Sequence, residues 1–253
     1  MKIVSLNTWA GKAGKDKLLA FFESHREIDI FCLQEIWSGP IKELKGMTGG
    51  NSLEKHSLRM EYGLQEISQV LKDHRAYLRP HLFTFGLLML VKKSIEVLEE
   101  GEIFAHKERG YIPEGDVGFH ARNVQYVKIA TEKGNRTIMN FHGLWNGKGK
   151  GDSEERILQS EKIVKLIKQQ ENPLVLCGDF NLSPETESIK MLEKSGLRNL
   201  IKEWGVTSTR TSLYTRQEKF ADYVFTSEGI DVRTFKVLPD EVSDHSPLYL
   251  DFS

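Results

Sequence analysis

Carboxylates, amides and imidazoles recur in this chain at the ends of apolar runs. Asn7 follows Ile3-Val4-Ser5-Leu6, Gln34-Glu35 follows Ile30-Phe31-Cys32-Leu33, and His142 follows Met139-Asn140-Phe141. Asp179 and Asn181 follow Leu174-Val175-Leu176-Cys177-Gly178, while Ser243-Asp244-His245 precedes the last apolar run. One such residue is ordinarily a cap or a turn former. Their repetition points to a ligand crevice, because α/β sheets open theirs at strand ends. Carboxylates and amides around a wet site suit a hard divalent cation, whereas zinc favours more imidazole or thiolate.

Spacing excludes several other chemistries. Asp179, Asn181 and Ser183 take the first, third and fifth places of a calcium loop, but Pro184 and Lys190 stand where its glycine and glutamate belong. No nucleophile elbow G-x-S-x-G and no zinc helix H-E-x-x-H occurs. Asn146-Gly147-Lys148-Gly149-Lys150-Gly151 lacks P-loop spacing, yet its glycines and lysines suit either a solvated connector or a phosphate-holding rim.

The elements that must position these residues are short β-rich runs at 2–6, 29–34, 85–92, 123–130, 137–141, 174–177, 223–226 and 247–252, with helical patterns between several of them. Leu18, Leu19 and Phe22 form one stripe over residues 15–25, and Ile157, Leu158, Ile163, Val164 and Ile167 recur at helical spacing. Asp152 with Glu155 reads as the start of that second helix. Ser183-Pro184 reads as a third start, and Gly196 as its end. Between Trp37 and Arg75, Gly39-Pro40, Gly46, Gly49, Gly50 and Asn51 predict a mobile surface loop before a helix ending near His74. Helices interleaved with strands argue for an α/β layered domain with two sheets inside and helices outside.

In 253 residues there is no internal repeat and no low-complexity linker, so 1–253 reads as a single domain. Lysine plus arginine number 35 against 36 aspartate plus glutamate, and the net charge of −1 gives no general attraction to a nucleic-acid backbone. Any phosphate binding must therefore be local. No run approaches the roughly 20 apolar residues of a membrane span, and the residues after Met1 read as too polar for a secretory signal, which is the expectation here. The expectation is a cytoplasmic protein without membrane insertion and with no obligate protein partner evident. Cys32 and Cys177, each alone within an apolar run, read as buried free thiols.

Taken together, six segments resemble the endonuclease/exonuclease/phosphatase superfamily, which groups DNase I-like nucleases, AP endonucleases, sphingomyelinases and inositol polyphosphate 5-phosphatases. They are Leu6-Asn7-Thr8-Trp9, Leu33-Gln34-Glu35, Asn140-Phe141-His142, Gly178-Asp179-Phe180-Asn181, Ala221-Asp222-Tyr223 and Ser243-Asp244-His245. They follow the family's order across nearly the whole chain. The resemblance implies a four-layer α/β/β/α sandwich of two packed mixed sheets with outer helices. It implies Glu35 as principal ligand of Mg2+, or Mn2+, with Asn7 and Asp244 close by. Asp179 would orient or deprotonate the attacking water, and Asn181 would help hold the scissile phosphate and nucleophile in line. Asp222 would fix the tautomer of His245, and His245 with His142 would clamp the nonbridging oxygens.

Departures from subfamilies narrow the expected substrate. Abasic-site endonucleases of the superfamily carry tyrosine where this chain has His142, and secreted nucleases carry disulfides and a glutamate near the place of Phe85. Trp9 and Trp37 lie two residues beyond candidate site residues and Trp145 three beyond His142, where they either stack on a substrate ring or pack at the rim. Arg122 and Arg156 are placed to grip phosphate. Arg122, Trp145 and Asn146 are thus the candidate substrate-binding residues. The expected activity is metal-dependent phosphoester hydrolysis by in-line water attack, with nucleic acid or a nucleotide as favoured substrate. A phosphomonoesterase of the inositol-phosphatase type and a noncatalytic binding module are the alternatives. The other histidines, at 25, 56, 74, 81, 106 and 120, carry no motif and are expected at the surface or in loops.

Overall fold

A computed structural model of the chain describes residues 1–40, 59–113 and 118–253. Two six-stranded mixed sheets pack face to face with helices on their outer surfaces. The first sheet has the order β11-β12-β1-β2-β4-β3, from Val232–Val237, Leu248–Phe252, Lys2–Asn7, Ile30–Trp37, Phe85–Lys92 and His74–Leu82. The second has the order β5-β6-β7-β8-β10-β9, from Val97–His106, Arg122–Ile129, Arg136–His142, Leu174–Asp179, Asp222–Thr226 and Arg198–Asn199. Each sheet holds one parallel pair near its centre, β1 with β2 and β7 with β8.

Alternation along the central strands explains the layering, since successive strand residues face opposite sides. In the first sheet Val4, Leu6, Phe31, Leu33, Leu88 and Leu90 pack with Leu18, Phe21 and Phe22 of α1 (Lys15–Ser24) and Ile67 of α2 (Gly63–Val70). The intervening Ile3, Ile30, Cys32, Met89 and Val91 belong to the larger cluster shared with the second sheet. That cluster continues to Ile163 and Leu166 of α3 (Glu154–Lys168) and Ile189 and Leu192 of α4 (Glu187–Lys194); α5 (Leu200–Glu203) is a single short turn. Cys32 and Cys177 are buried and free, as their settings imply. Among the described residues no helix is long and apolar enough to cross a membrane.

Two helix starts differ from the sequence reading. Ser153, not Asp152, caps α3 by accepting from the Arg156 N–H at 3.4 Å, while Asp152 reaches across to accept from the N–H groups of Glu187 and Ser188 at 2.7 and 3.1 Å. Asp152 thus serves the neighbouring helix. Ser183-Pro184 forms a turn, and α4 begins three residues later under a Thr186 cap, ending at the left-handed Gly196 as expected. The loop glycines Gly46, Gly49 and Gly50, with Asn51 and His56, lie outside the described residues.

Candidate active site

Strand register assembles half of the site. Across three neighbouring strands His142 pairs with Asp179 and Asp179 with Asp222, so these three side chains emerge on one face at one edge of the second sheet. Glycine permits the crowding there. A Cβ on Gly178, at φ +141°, would lie 1.9 Å from the Phe141 carbonyl oxygen, and one on Gly143 would lie 2.2 Å from that of Phe180. With the backbones so close, Gly143 N–H bonds the Asp179 carbonyl at 2.6 Å. Asn181 adopts φ +57°, a conformation its short polar side chain tolerates, and its N–H turns back to Asp179 Oδ1 at 2.9 Å.

The first sheet supplies the opposing half. Register between β2 and β4 slips between Leu33 and Ile36, and Glu35 within that bulge has φ +61°. Such a bulge re-aims a side chain. Asn7, the last residue of β1, donates through Nδ2 to Asp179 Oδ2 at 2.9 Å and to Glu35 Oε1 at 3.3 Å, while its Oδ1 accepts from the Trp9 N–H at 3.0 Å. One carboxamide therefore ties a carboxylate of each sheet. Below it, Gln34 donates to Asn140 Oδ1 at 2.7 Å, and Asn140 donates to Leu33 O at 3.0 Å and to Gln125 Oε1 at 3.3 Å. The seam under the site is thus bonded by buried amides as well as packed.

The segment before β12 completes the cluster. His245 Nδ1 sits 2.8 Å from Asp222 Oδ2, and Nε2 lies 3.6 Å from Asp179 Oδ2 and 3.8 Å from Asp244 Oδ1. Thr209 Oγ1 donates to Asp222 at 3.1 Å, and His142 Nε2 stands 3.6 Å from Asp179 Oδ2. Asp179 is therefore the hub on which Asn7, Asn181, His142 and His245 converge. Among the described residues Asp179, Asp222 and His245 also form a group that could hold a metal, one donor atom each within 4.8 Å. Its hydrogen bonds already engage that trio, whereas Glu35 and Asp244 present further oxygens beside it. Oxygen donors with one imidazole are the chemistry of a hard cation.

Electrostatics separate the two imidazoles. Burial opposes charge on His245, but the carboxylates of Asp222 and Asp179 outweigh it and raise its pKa. Burial and then the Arg122 charge hold His142 well below the ordinary imidazole value. The surroundings thus favour the charged form of His245 and the neutral form of His142. Burial alone would raise Asp179; the charges of His245, Lys150 and Arg210 reverse this and hold it well below the usual carboxylate range.

The family model described as Endonuclease/Exonuclease/phosphatase family matches residues 4–245. The chain belongs to that family. Similar solved structures include a mannosyl-6-phosphatase from Bacteroides thetaiotaomicron, with a TM-score of 0.72, 16% identity, and 100% of this chain and 99% of that one covered. D. rerio TDP2 complexed with a single-strand DNA product gives a TM-score of 0.67 at 15% identity, covering 100% and 98%. The catalytic domain of human Nocturnin with bound sulfate gives 0.65 at 16%, covering 100% and 93%. No curated protein matches the sequence. At these identities the likeness concerns the α/β sandwich itself.

Against that family fold, Asn7, Glu35, His142, Asp179, Asn181, Asp222, Asp244 and His245 all fall in one neighbourhood. The substrate-binding candidates fare differently. Arg122 is only 2% exposed, with Nη2 3.3 Å from the Gly118 carbonyl, and burial lowers its pKa to about 10. Arg156 is buried too, bonding the carbonyls of Leu144 and Gly151, so it braces the loop rather than facing solvent. Asn146 forms a turn, its Oδ1 accepting from the Lys148 N–H at 3.0 Å. Trp145 is half-buried with Lys150 Nζ 5.1 Å and Arg216 Cζ 5.2 Å from its ring centre. Trp37 is buried against Phe85, ring centres 4.7 Å apart, which places it in a small core rather than at a rim.

Sequence reasoning missed four contributors. Lys150, within the glycine-lysine loop, is buried and bonds Asn181 Oδ1. Arg210 lies 3.5 Å from Asp244, in a segment without periodicity or motif. His81 and His120 stack with centres 5.0 Å apart, and His81 meets the His142 ring edge-on at 6.5 Å. Of the histidines expected at the surface or in loops, His120 is in the loop before β6, though buried, while His74, His81 and His106 are buried in strands: aromatic packing covers His81, His106 and His120, and His74 bonds the Ile28 carbonyl at 2.8 Å.

Proposed function

We propose that this chain is a divalent-metal-dependent phosphoester hydrolase whose residues 1–253 act as one catalytic domain. The observation that carries this reading is the convergence on Asp179 of Asn7, Asn181, His142 and His245 from separate strands. Glu35 and Asp244, with Asn7 bonded to Glu35, would hold Mg2+ or Mn2+. Such an ion, when bound, neutralises phosphoryl oxygens and makes water more acidic.

The protein's own groups do the rest. Asp179 is held ionised and is a weak base, so its work is mainly to accept the hydrogen bond that aims the attacking water in line with phosphorus. The Asn7 amide and the Asn181 N–H fix its two oxygens for that task. Asp222 orients His245 and favours its charged form, and the Nε2–H of that ring donates to a nonbridging oxygen as charge builds on it. The neutral His142 offers a second donor without adding charge beside Arg122. Lys150 holds the Asn181 side chain against the scissile group.

A phosphodiester of nucleic acid or a nucleotide is the favoured substrate, supported by the half-buried Trp9 directly after Asn7-Thr8 and Trp145 beside Lys150. The test begins with chelated protein and adds back magnesium, manganese or calcium with an aryl phosphodiester, the matching monoester and a short oligonucleotide. Turnover that needs the metal and favours the diester is expected. Monoester turnover alone would move the assignment to a phosphomonoesterase, and no turnover with any ion would leave a binding module.

A further inference from the structure

Arg210 is held beside the site by its backbone and by its guanidinium. Residues 209–211 run antiparallel to 244–246: Ser246 N–H bonds Thr209 O at 2.9 Å, Thr211 N–H bonds Asp244 O at 3.3 Å, and Arg210 bridges His245. The side chain is then trapped from two sides. Its guanidinium carbon lies 4.0 Å from the centre of the Tyr214 ring, and Nη1 lies 3.5 Å from Asp244 Oδ2. Tyr214 is itself tethered, its N–H to Thr211 O at 3.2 Å and its hydroxyl to Glu218 Oε2 at 3.2 Å. Asp244 has few other restraints among the described residues: Ser243 Oγ at 3.4 Å and His245 Nε2 at 3.8 Å, both on Oδ1. Among the described residues Arg210 is thus the neighbour that meets Asp244 on Oδ2, while the contacts from its own segment, Ser243 and His245, fall on Oδ1.

We propose that Arg210, laid flat on Tyr214, is a positioning residue for the divalent cation, fixing the Asp244 carboxylate in the orientation that receives the ion. This rests on reading Asp244 as a metal ligand. A planar fork stacked on an aromatic face is something a lysine cannot reproduce. The sign of the effect makes the role testable. A positive charge beside a cation site repels the ion, so if charge were all that Arg210 contributed, removing it would tighten metal binding. Positioning predicts the reverse, because partners that orient a ligand typically carry about 10–100-fold in metal affinity.

The experiment is calorimetric titration of Mn2+ into metal-free full-length protein, with melting temperatures in parallel. Arg210→Gln and Arg210→Lys are each expected to weaken Mn2+ binding by about 10-fold or more. Tyr214→Leu should weaken it in the same direction, and the Arg210→Gln/Tyr214→Leu double variant should be no weaker than Arg210→Gln alone, because the tyrosine acts through the arginine. Mn2+ binding by folded Arg210→Gln that equals or exceeds wild type overturns the proposal. If Arg210→Gln does not fold, Tyr214→Leu decides, and an unchanged affinity there overturns it. Asp244→Asn separates the two levels: unchanged affinity in that variant removes both the ligand reading and this inference, whereas a loss there with none in the Arg210 variants removes the inference alone.

Discussion

Mild acid should destabilise the protein through three buried imidazoles, two of which no motif marks. His81, His120 and His142 are buried side by side, and burial followed by the Arg122 charge holds each well below the ordinary imidazole pKa. The unfolded chain titrates them near the reference value of about 6.5. A depressed histidine contributes stability above its unfolded pKa and loses it as pH falls below that value, because only the unfolded state then takes up the proton. Each such proton costs about 1.4 kcal/mol per pH unit, so the three together cost about 4 kcal/mol per unit below roughly pH 6.5. Against a typical total of about 5–15 kcal/mol this is a large share. His245, with its raised pKa, loses its contribution only above its unfolded value and leaves this window clear. His81→Phe keeps a ring in the slot and removes one titrating group. Guanidinium unfolding with chelator present, at half-unit steps from about pH 7.5 to 5, should give a slope shallower by about 1.4 kcal/mol per unit in the variant. Equal slopes would show that His81 does not exclude the proton, and the reasoning from burial would fail.

Other outcomes follow from single contacts. Asp179→Asn should lower kcat by about 100-fold or more, since the amide loses one of two acceptors aimed at water and Asn7; near-wild-type turnover would remove Asp179 from the mechanism. Gly178→Ala forces a Cβ onto the Phe141 carbonyl at a left-handed φ and should cost at least about 4 kcal/mol or abolish soluble expression, so an unchanged melting temperature would contradict the packing described. Asp152→Ala leaves the first N–H groups of α4 without their acceptor and should cost about 1–2 kcal/mol in chemical denaturation, with activity retained; no loss would mean that water replaces the cap fully.

The parts of the fold legible in the sequence are those buried on both faces. β1, β2, β4, β7 and β8 are near-continuous apolar runs, and the sequence pattern locates each to within a few residues. The strands that escaped are edge or outlying ones. β3 and β5 carry arginines and glutamates on faces open to water, and β11 alternates with exposed Arg233 and Lys236, so their pairing is set by neighbours rather than by hydrophobic period. The site shows the same division. Residues at strand ends announced themselves, because a polar group closing an apolar run needs a reason. Arg210 and the His81–His120 stack did not, since a buried cation or imidazole is defined by what packs on it from distant segments. The helix caps were misread by one to three residues because serine, threonine and aspartate are interchangeable as caps, and only geometry decides which side chain reaches which N–H.

Asn7 belongs to one sheet and Asp179 to the other, and their bond stands above the Gln34–Asn140–Gln125 chain of amides. On the proposed reading neither sheet alone holds all of the site's groups, which makes alignment between them a functional variable. A slip of one layer past the other by the width of an atom would break the Asn7 contact before it exposed any greasy surface. Substitutions deep in the interlayer filling, such as at Gln125 or Asn140, should therefore register first as slowed turnover and only afterwards as lost stability.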